Sequence, residues 1–209
     1  MRKIALINAG FGNIGSVINT LNRINFKSTS ITNGDELYNY EPTHIIMPGV
    51  GAVSQAMRNL KKNNFLAPLD YFIKEKKILF CGICVGMQLL SEFSEEFGES
   101  KCLGWIPGKV KSLKSNKKSL PHMGWNTIIK NKRESKLLKN IYDEDMYFCH
   151  SYAFNCEKKY IIAETIYENK FISAVNNENI YGIQCHPEKS LNLGDTFFKN
   201  FLSLGEANF

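Results

Sequence analysis

Three side chains could carry out nucleophilic chemistry if the fold brought them to one place. One is a cysteine, in Gly82-Ile83-Cys84-Val85-Gly86; the others are a histidine and a glutamate, in Gln184-Cys185-His186-Pro187-Glu188-Lys189-Ser190. A thiolate attacks a carbonyl carbon, an imidazole takes and returns the proton, and a carboxylate orients that imidazole. The pentapeptide reads as the thiol form of a nucleophile elbow, a strained strand-to-helix turn that exposes the nucleophile, with glycines two before and two after leaving room around it. Such a turn places Cys84 at a helix N-terminus, where the dipole and unpaired amides favour the thiolate, the reactive form. It also makes the Val85 amide a natural oxyanion donor. In the second segment Pro187 stops regular sheet pairing, so His186 and Glu188 can project from one short turn.

Each fragment has a plainer reading. A cysteine between glycines can be a small core residue, and a histidine and glutamate around a proline can be solvated loop residues. Their occurrence in one chain favours chemistry, because a cysteine nucleophile needs a base and the base needs an orienting group. Cys81-Gly82-Ile83-Cys84 also spells a C-x-x-C redox pair. However, Cys81 falls inside a predicted buried strand and no thioredoxin-like helix pattern accompanies it. No second Cys/His pair has finger spacing, so neither a metal nor a cofactor is expected.

The elements that must position these residues alternate. Lys3 to Ile7 reads as a buried strand, and Ile14, Val17, Ile18, Leu21 and Ile24 recur at helical spacing. Thr43 to Met47 reads as a strand ending at Pro48-Gly49-Val50-Gly51, with a helix through Ala52, Ala56, Met57 and Leu60. A third unit has a helix through Phe65, Leu69, Phe72 and Ile73, a strand from Lys77 to Cys81, and the elbow leading into a helix that carries Met87, Leu89, Leu90 and Phe93. Alternation of this kind predicts an α/β fold: an open, mostly parallel central sheet with flanking helices, and ligands beyond the carboxyl ends of the strands. From about residue 102 onward, shorter runs at Val110 to Leu113, Met146 to Cys149, Tyr160 to Tyr167 and Ile180 to Cys185 predict an antiparallel excursion, closed by a helix near Asp195 to Leu202. No linker, repeat or low-complexity tract divides the chain, so one domain over 1–209 is expected.

Composition narrows the classes. The chain has 209 residues, 44% of them hydrophobic, enough for one substantial core. No signal-peptide pattern follows Met1-Arg2-Lys3, and no apolar run reaches the roughly 20 residues of a membrane helix, so a soluble cytoplasmic protein is expected. The six cysteines show no disulfide or finger framework, which makes free thiols the expectation. Net charge is +6, but the lysines are dispersed. The densest run, Lys109 to Lys118, reads as a solvated hairpin, so no nucleic-acid partner is expected.

Beyond the two catalytic segments, the motifs Pro48 to Ala52, Gly82 to Leu90, Gly104 to Val110, Pro121 to Asn126 and Tyr147 to Tyr152 run almost end to end. With them the chain resembles the class I (triad) glutamine amidotransferases, and most closely the glutaminase subunits of imidazole glycerol phosphate synthases. The resemblance implies that Cys84 attacks the glutamine carboxamide, with His186 as base and acid and Glu188 orienting it. It implies an oxyanion site from Val85 and the Gly49, Val50 and Gly51 amides, and glutamine binding by Gln88, Glu92, Ser151 and Tyr152. Gln88 and Glu92, four apart, are expected on one face of the elbow helix, and His150 is expected to be structural. Also implied are ammonia delivery to a β/α-barrel cyclase subunit in a heterodimer of histidine biosynthesis, with His122, Met123, Gly124, Trp125 and Asn126 facing that partner, although Trp125 could instead be core. Two alternatives stay open: a paralogue feeding a sugar-amidinating synthase of surface glycans, and a catalytically silent regulatory subunit. Asn8 to Asn13 stands where the family usually begins aspartate-tyrosine-glycine, and Cys81, Val85 and Cys185 replace commoner leucine or phenylalanine; none of these removes a catalytic group.

Overall fold

The computed structural model describes residues 2–116, 118–131 and 133–205. Lys117, in the lysine run, and the ends of the expected 1–209 domain lie outside them. In chain order the elements are β1 (Ile4–Ile7), α1 (Ile14–Arg23), β2 (Ser28–Ile31), α2 (Gly34–Tyr40), β3 (His44–Gly49), α3 (Val53–Lys62) and α4 (Leu66–Asp70), the last continuing into a π-helical turn Tyr71–Glu75. Next come β4 (Leu79–Cys84), α5 (Val85–Gln88), β5 (Phe93–Ser94), β6 (Ser100–Lys101), β7 (Gly108–Ser112), β8 (His122–Thr127), β9 (Ile129–Lys130) and β10 (Asp145–His150). The chain closes with β11 (Tyr152–Cys156), β12 (Ile161–Tyr167), β13 (Asn169–Asn177), β14 (Ile180–Ile183) and α6 (Leu191–Leu202).

The main sheet runs β2-β1-β3-β4-β14-β13-β12-β9. Its first five strands are parallel and its last three antiparallel. β1 is buried along its whole length, as a strand covered by helices on both faces must be. Packing of α1 follows its period: Val17, Thr20 and Leu21 face inward, and the Asn13 side chain caps the helix by accepting from the Ser16 amide at 3.3 Å. One contiguous hydrophobic cluster, from Ile4 to Leu204, fills the molecule. Two smaller sheets, β10-β8 and β11-β7-β5-β6, form the excursion, which departs from the expected antiparallel pattern where β5 runs parallel to β7. No helix among the described residues is long and apolar enough to cross a membrane, and the six cysteines are unpaired.

Three expectations change. The helix after the elbow is a single turn: instead of continuing it, the carbonyls of Leu89, Leu90, Ser91 and Glu92 accept from the amides of Leu103, Ile106, Gly104 and Cys102 at 2.7–3.0 Å. The excursion therefore begins at Phe93, which lies in β5 and not in a helix. The lysine run is no hairpin, because its strand β7 pairs with β11 and β5.

Candidate active site

The third parallel unit delivers the nucleophile. β4 runs through Cys84, whose backbone sits at φ 54°, ψ −109°, a region costly for any residue with a Cβ and held only when its surroundings impose it. The flanking glycines show what imposes it. A Cβ on Gly82 would strike the Gly86 carbonyl, and one on Gly86 the Met47 carbonyl of β3. The elbow is thus pressed against the neighbouring strand. Gly49 completes the fit, since a Cβ there would lie 2.8 Å from the Gly86 amide nitrogen and the Val85 Cβ. Because α5 is one turn long, it offers its first-turn amides but no extended dipole to the sulfur.

β14 lies beside β4, and its continuation carries the base. The turn Pro187–Lys189 is clamped to β10: the His186 amide donates to the Tyr147 carbonyl at 2.8 Å, the Tyr147 amide to Ser190 Oγ at 3.0 Å, and Ser190 Oγ to the His186 carbonyl at 2.7 Å. His186 Nδ1 is 2.8 Å from Glu188 Oε1, and both side chains are buried. That leaves Nε2 for Cys84. Burial alone would lower the His186 imidazole, but hydrogen bonds to Cys84 and Glu188, with their charges, carry it up to about 10. Buried Gln184 adds a further link, donating through Nε2 to Cys84 Sγ at 3.6 Å. Cys81 is fully buried and its thiol is pushed up by desolvation, the opposite of what a redox pair needs.

Cys84 and His186 open into a cavity of about 140 Å³ that Val50, Gly51, Val85, Gln88, Ser151 and Tyr152 also line. Gly49 stands behind it in β3, paired with Cys84. Gln88 is buried and donates through Nε2 to the Tyr152 carbonyl at 2.8 Å and to Gln184 Oε1 at 3.1 Å.

Glu92 is placed otherwise than expected. The helix ends before it, so it shares no helical face with Gln88; its carboxylate accepts from the Gly108 amide at 3.0 Å and does not line the cavity. A different carboxylate does: Glu96, 9% exposed, whose Oε2 accepts from the Val53 amide at 2.7 Å. Glu96 lies beyond the end of the one-turn helix and after β5, so its place in the cavity lining does not come from helical spacing to Gln88 and no sequence signal marked it. Cys149, Lys189 and His150 also line the cavity; His150 was expected to be structural.

The segment expected to face a partner forms β8, paired with β10 so that Met123 lies opposite Cys149 and Trp125 opposite Tyr147. Met123 is 61% and Trp125 49% exposed, so Trp125 is not core. Gly124 and Asn126, on the other face of the strand, are half-buried, and His122, expected on the same surface, is instead buried because its ring packs against Phe148 and Tyr167.

The profile of the family described as glutamine amidotransferase class-I matches residues 5–204. Imidazole glycerol phosphate synthase subunit HisH 2 of Methanococcus maripaludis is 45% identical over 204 residues, covering 95% of this chain and 98% of that one. Imidazole glycerol phosphate synthase subunit HisH of Leptospira borgpetersenii is 41% identical over 207 residues, covering 96% and 100%. Among solved structures, a glutamine amidotransferase superposes with a TM-score of 0.74 at 15% identity over 96% of this chain and 97% of its own. The structure of PurLQS from Thermotoga maritima gives 0.74 at 17% over 99% and 100%. At such identities these two likenesses speak for the fold alone.

Proposed function

We propose, from the premise that this chain belongs to the class I glutamine amidotransferases, that it is the glutaminase subunit of an imidazole glycerol phosphate synthase in histidine biosynthesis. It hydrolyses glutamine to glutamate and ammonia and passes the ammonia to a cyclase subunit. Near-full-length identity to HisH subunits carries the pathway; Cys84 and His186 opening into one cavity, with Glu188 against His186 Nδ1, carries the chemistry.

Cys84 passes its thiol proton to His186 and its Sγ attacks the side-chain carbonyl carbon of glutamine, and the carbonyl oxygen takes the negative charge beside the Val85 amide and the Val50–Gly51 loop. As the tetrahedral centre collapses, the C–N bond breaks and His186, held by Glu188, gives its proton to the departing ammonia. Water, deprotonated by His186, then adds to the thioester; the C–S bond breaks and returns the thiol, leaving glutamate. Gln88, Ser151 and Tyr152 hold the amino-acid head, and Glu96, in place of Glu92, receives its α-ammonium, since it is the acidic side chain lining the cavity.

Ammonia released into water at neutral pH is largely protonated and lost to a nucleophilic reaction, so the glutaminase works docked to its acceptor enzyme. The exposed Met123 and Trp125 of β8 are the surface we assign to a β/α-barrel cyclase subunit in a cytoplasmic heterodimer. Glutamate release by the purified chain, alone and with the cyclase subunit and its ribonucleotide, tests the reading. Strong activation by that mixture is expected; activity solely with a sugar-amidinating synthase would move the protein to glycan synthesis.

A further inference from the structure

β8 has two faces. Met123 and Trp125 point outward, while His122 is 2% exposed and stacked between Tyr167 (ring centroids 4.1 Å apart) and Phe148 (4.9 Å). His122 begins a chain of hydrogen bonds whose direction can be worked out at every link. Asn126 Nδ2 lies 2.9 Å from the Ile166 carbonyl, and its Oδ1 accepts from the Thr127 amide at 2.8 Å, so the amide orientation is set and Nδ2 can act only as a donor. Nδ2 also meets His122 Nε2 at 3.2 Å; that nitrogen therefore accepts.

At the far end His150 Nδ1 is 2.8 Å from the Tyr152 carbonyl, which can only accept, so His150 carries hydrogen on Nδ1. Between them His122 Nδ1 and His150 Nε2 are 3.0 Å apart. Desolvation pushes both imidazoles down, His150 to about 3 and His122 to about 4, so each holds one ring proton at neutral pH. His122 Nδ1–H must then donate to His150 Nε2. The same Tyr152 carbonyl takes the Gln88 Nε2–H at 2.8 Å.

We propose that His122 and His150 are positioning residues of the glutamine site: a one-directional relay, Asn126 to His122 to His150 to the Tyr152 carbonyl, by which the partner-facing strand holds Gln88 in place. His122 lies outside the cavity lining and acts only through this chain. Losing one link leaves a buried ring nitrogen without its donor, a cost large enough to break the next link. The effect is expected on substrate affinity and not on the bond-breaking steps, because Gln88 holds the head of glutamine and not the reacting carboxamide.

The inference rests on the glutaminase reading, and its test separates the two. Glutamate release is measured on the chain complexed with its cyclase subunit, as wild type, Cys84→Ala, His122→Phe and His122→Asn. The phenylalanine keeps the aromatic stack and removes both nitrogens; the asparagine keeps a donor near the Nδ1 position. For His122→Phe we expect KM for glutamine to rise about tenfold, about 1.4 kcal/mol, with kcat within about threefold, and for His122→Asn a KM near wild type. An unchanged KM in folded His122→Phe, or a fall in kcat alone, overturns the relay. Glutamine hydrolysis absent from the wild type, or kept by Cys84→Ala, overturns the glutaminase reading and the relay's role with it. Should His122→Phe not fold, imidazole nitrogen-15 shifts of the wild type at pH 7 decide: both rings protonated on Nδ1 and bare on Nε2 are expected, and an Nε2–H tautomer or an imidazolium at either position overturns the relay.

Discussion

At Cys84 a strained backbone and a reactive sulfur occupy the same position, and neither survives without neighbours. Cys84→Ala is expected to abolish glutamate release, and Glu188→Gln to lower kcat by about 10³-fold, since an unoriented imidazole populates the wrong tautomer; steady-state assays of the complex check both. His186 yields a sign. Its folded pKa, about 10, stands above the ordinary 6.5, so the stability it contributes is full below pH 6.5 and is lost as pH rises towards 10. In Cys84→Ala the ring loses a partner that raises it. A histidine titration followed by NMR should then show its midpoint displaced downward; an unmoved midpoint would mean that Cys84 is not what holds the proton. Glu96→Gln keeps the shape of the side chain and removes the charge assigned to the α-ammonium. KM for glutamine should rise about 10- to 100-fold, the worth of a charge-assisted hydrogen bond, whereas the same change at Glu92, which lies outside the cavity lining, should leave KM near wild type.

The elements position these residues by close approach. β3, β4 and β14 are parallel neighbours, so Gly49, Cys84 and the His186 turn emerge at the same carboxyl edge, where open α/β sheets bind ligands. What sets the elbow's height over that edge is contact between Gly86 and the Met47 carbonyl. Gly86→Ala should therefore displace β4 from β3 and cost about 1–3 kcal/mol of stability, read by thermal melting, together with a loss of kcat. β8 is an element of another kind, a two-stranded pairing that presents apolar residues outward and a buried histidine inward.

For the whole molecule, Trp125 is exposed and edge-on to Tyr147 at 6.1 Å, the residue proposed above as the aromatic anchor for the cyclase subunit. Trp125→Ala is expected to weaken the complex by about 2 kcal/mol, about 30-fold in Kd, by calorimetric titration against the cyclase subunit, while leaving the melting temperature of the isolated chain within a few degrees. A large drop in melting temperature with unchanged affinity would make Trp125 a structural residue instead.

Much of this was legible along the chain. The nucleophile elbow, the His-Pro-Glu turn and the alternating strands are local patterns, set by turn chemistry and hydrophobic period, and residues a few positions apart are enough to display them. The length of the elbow helix was not legible, because Leu89 to Glu92 keep a helix-compatible pattern and their carbonyls are captured by amides from 102–106. Nor was the exchange of Glu92 for Glu96, which follows from that early termination. The direction of the Asn126–His122–His150–Tyr152 chain was hidden too, since it depends on which ring nitrogens meet acceptors across paired strands. Sequence by itself determined which chemical groups are available and the repeating units that carry them. Only the tertiary structure decided which carboxylate reaches the cavity and which proton each histidine keeps, because both turn on hydrogen bonds and desolvation between segments distant in the chain.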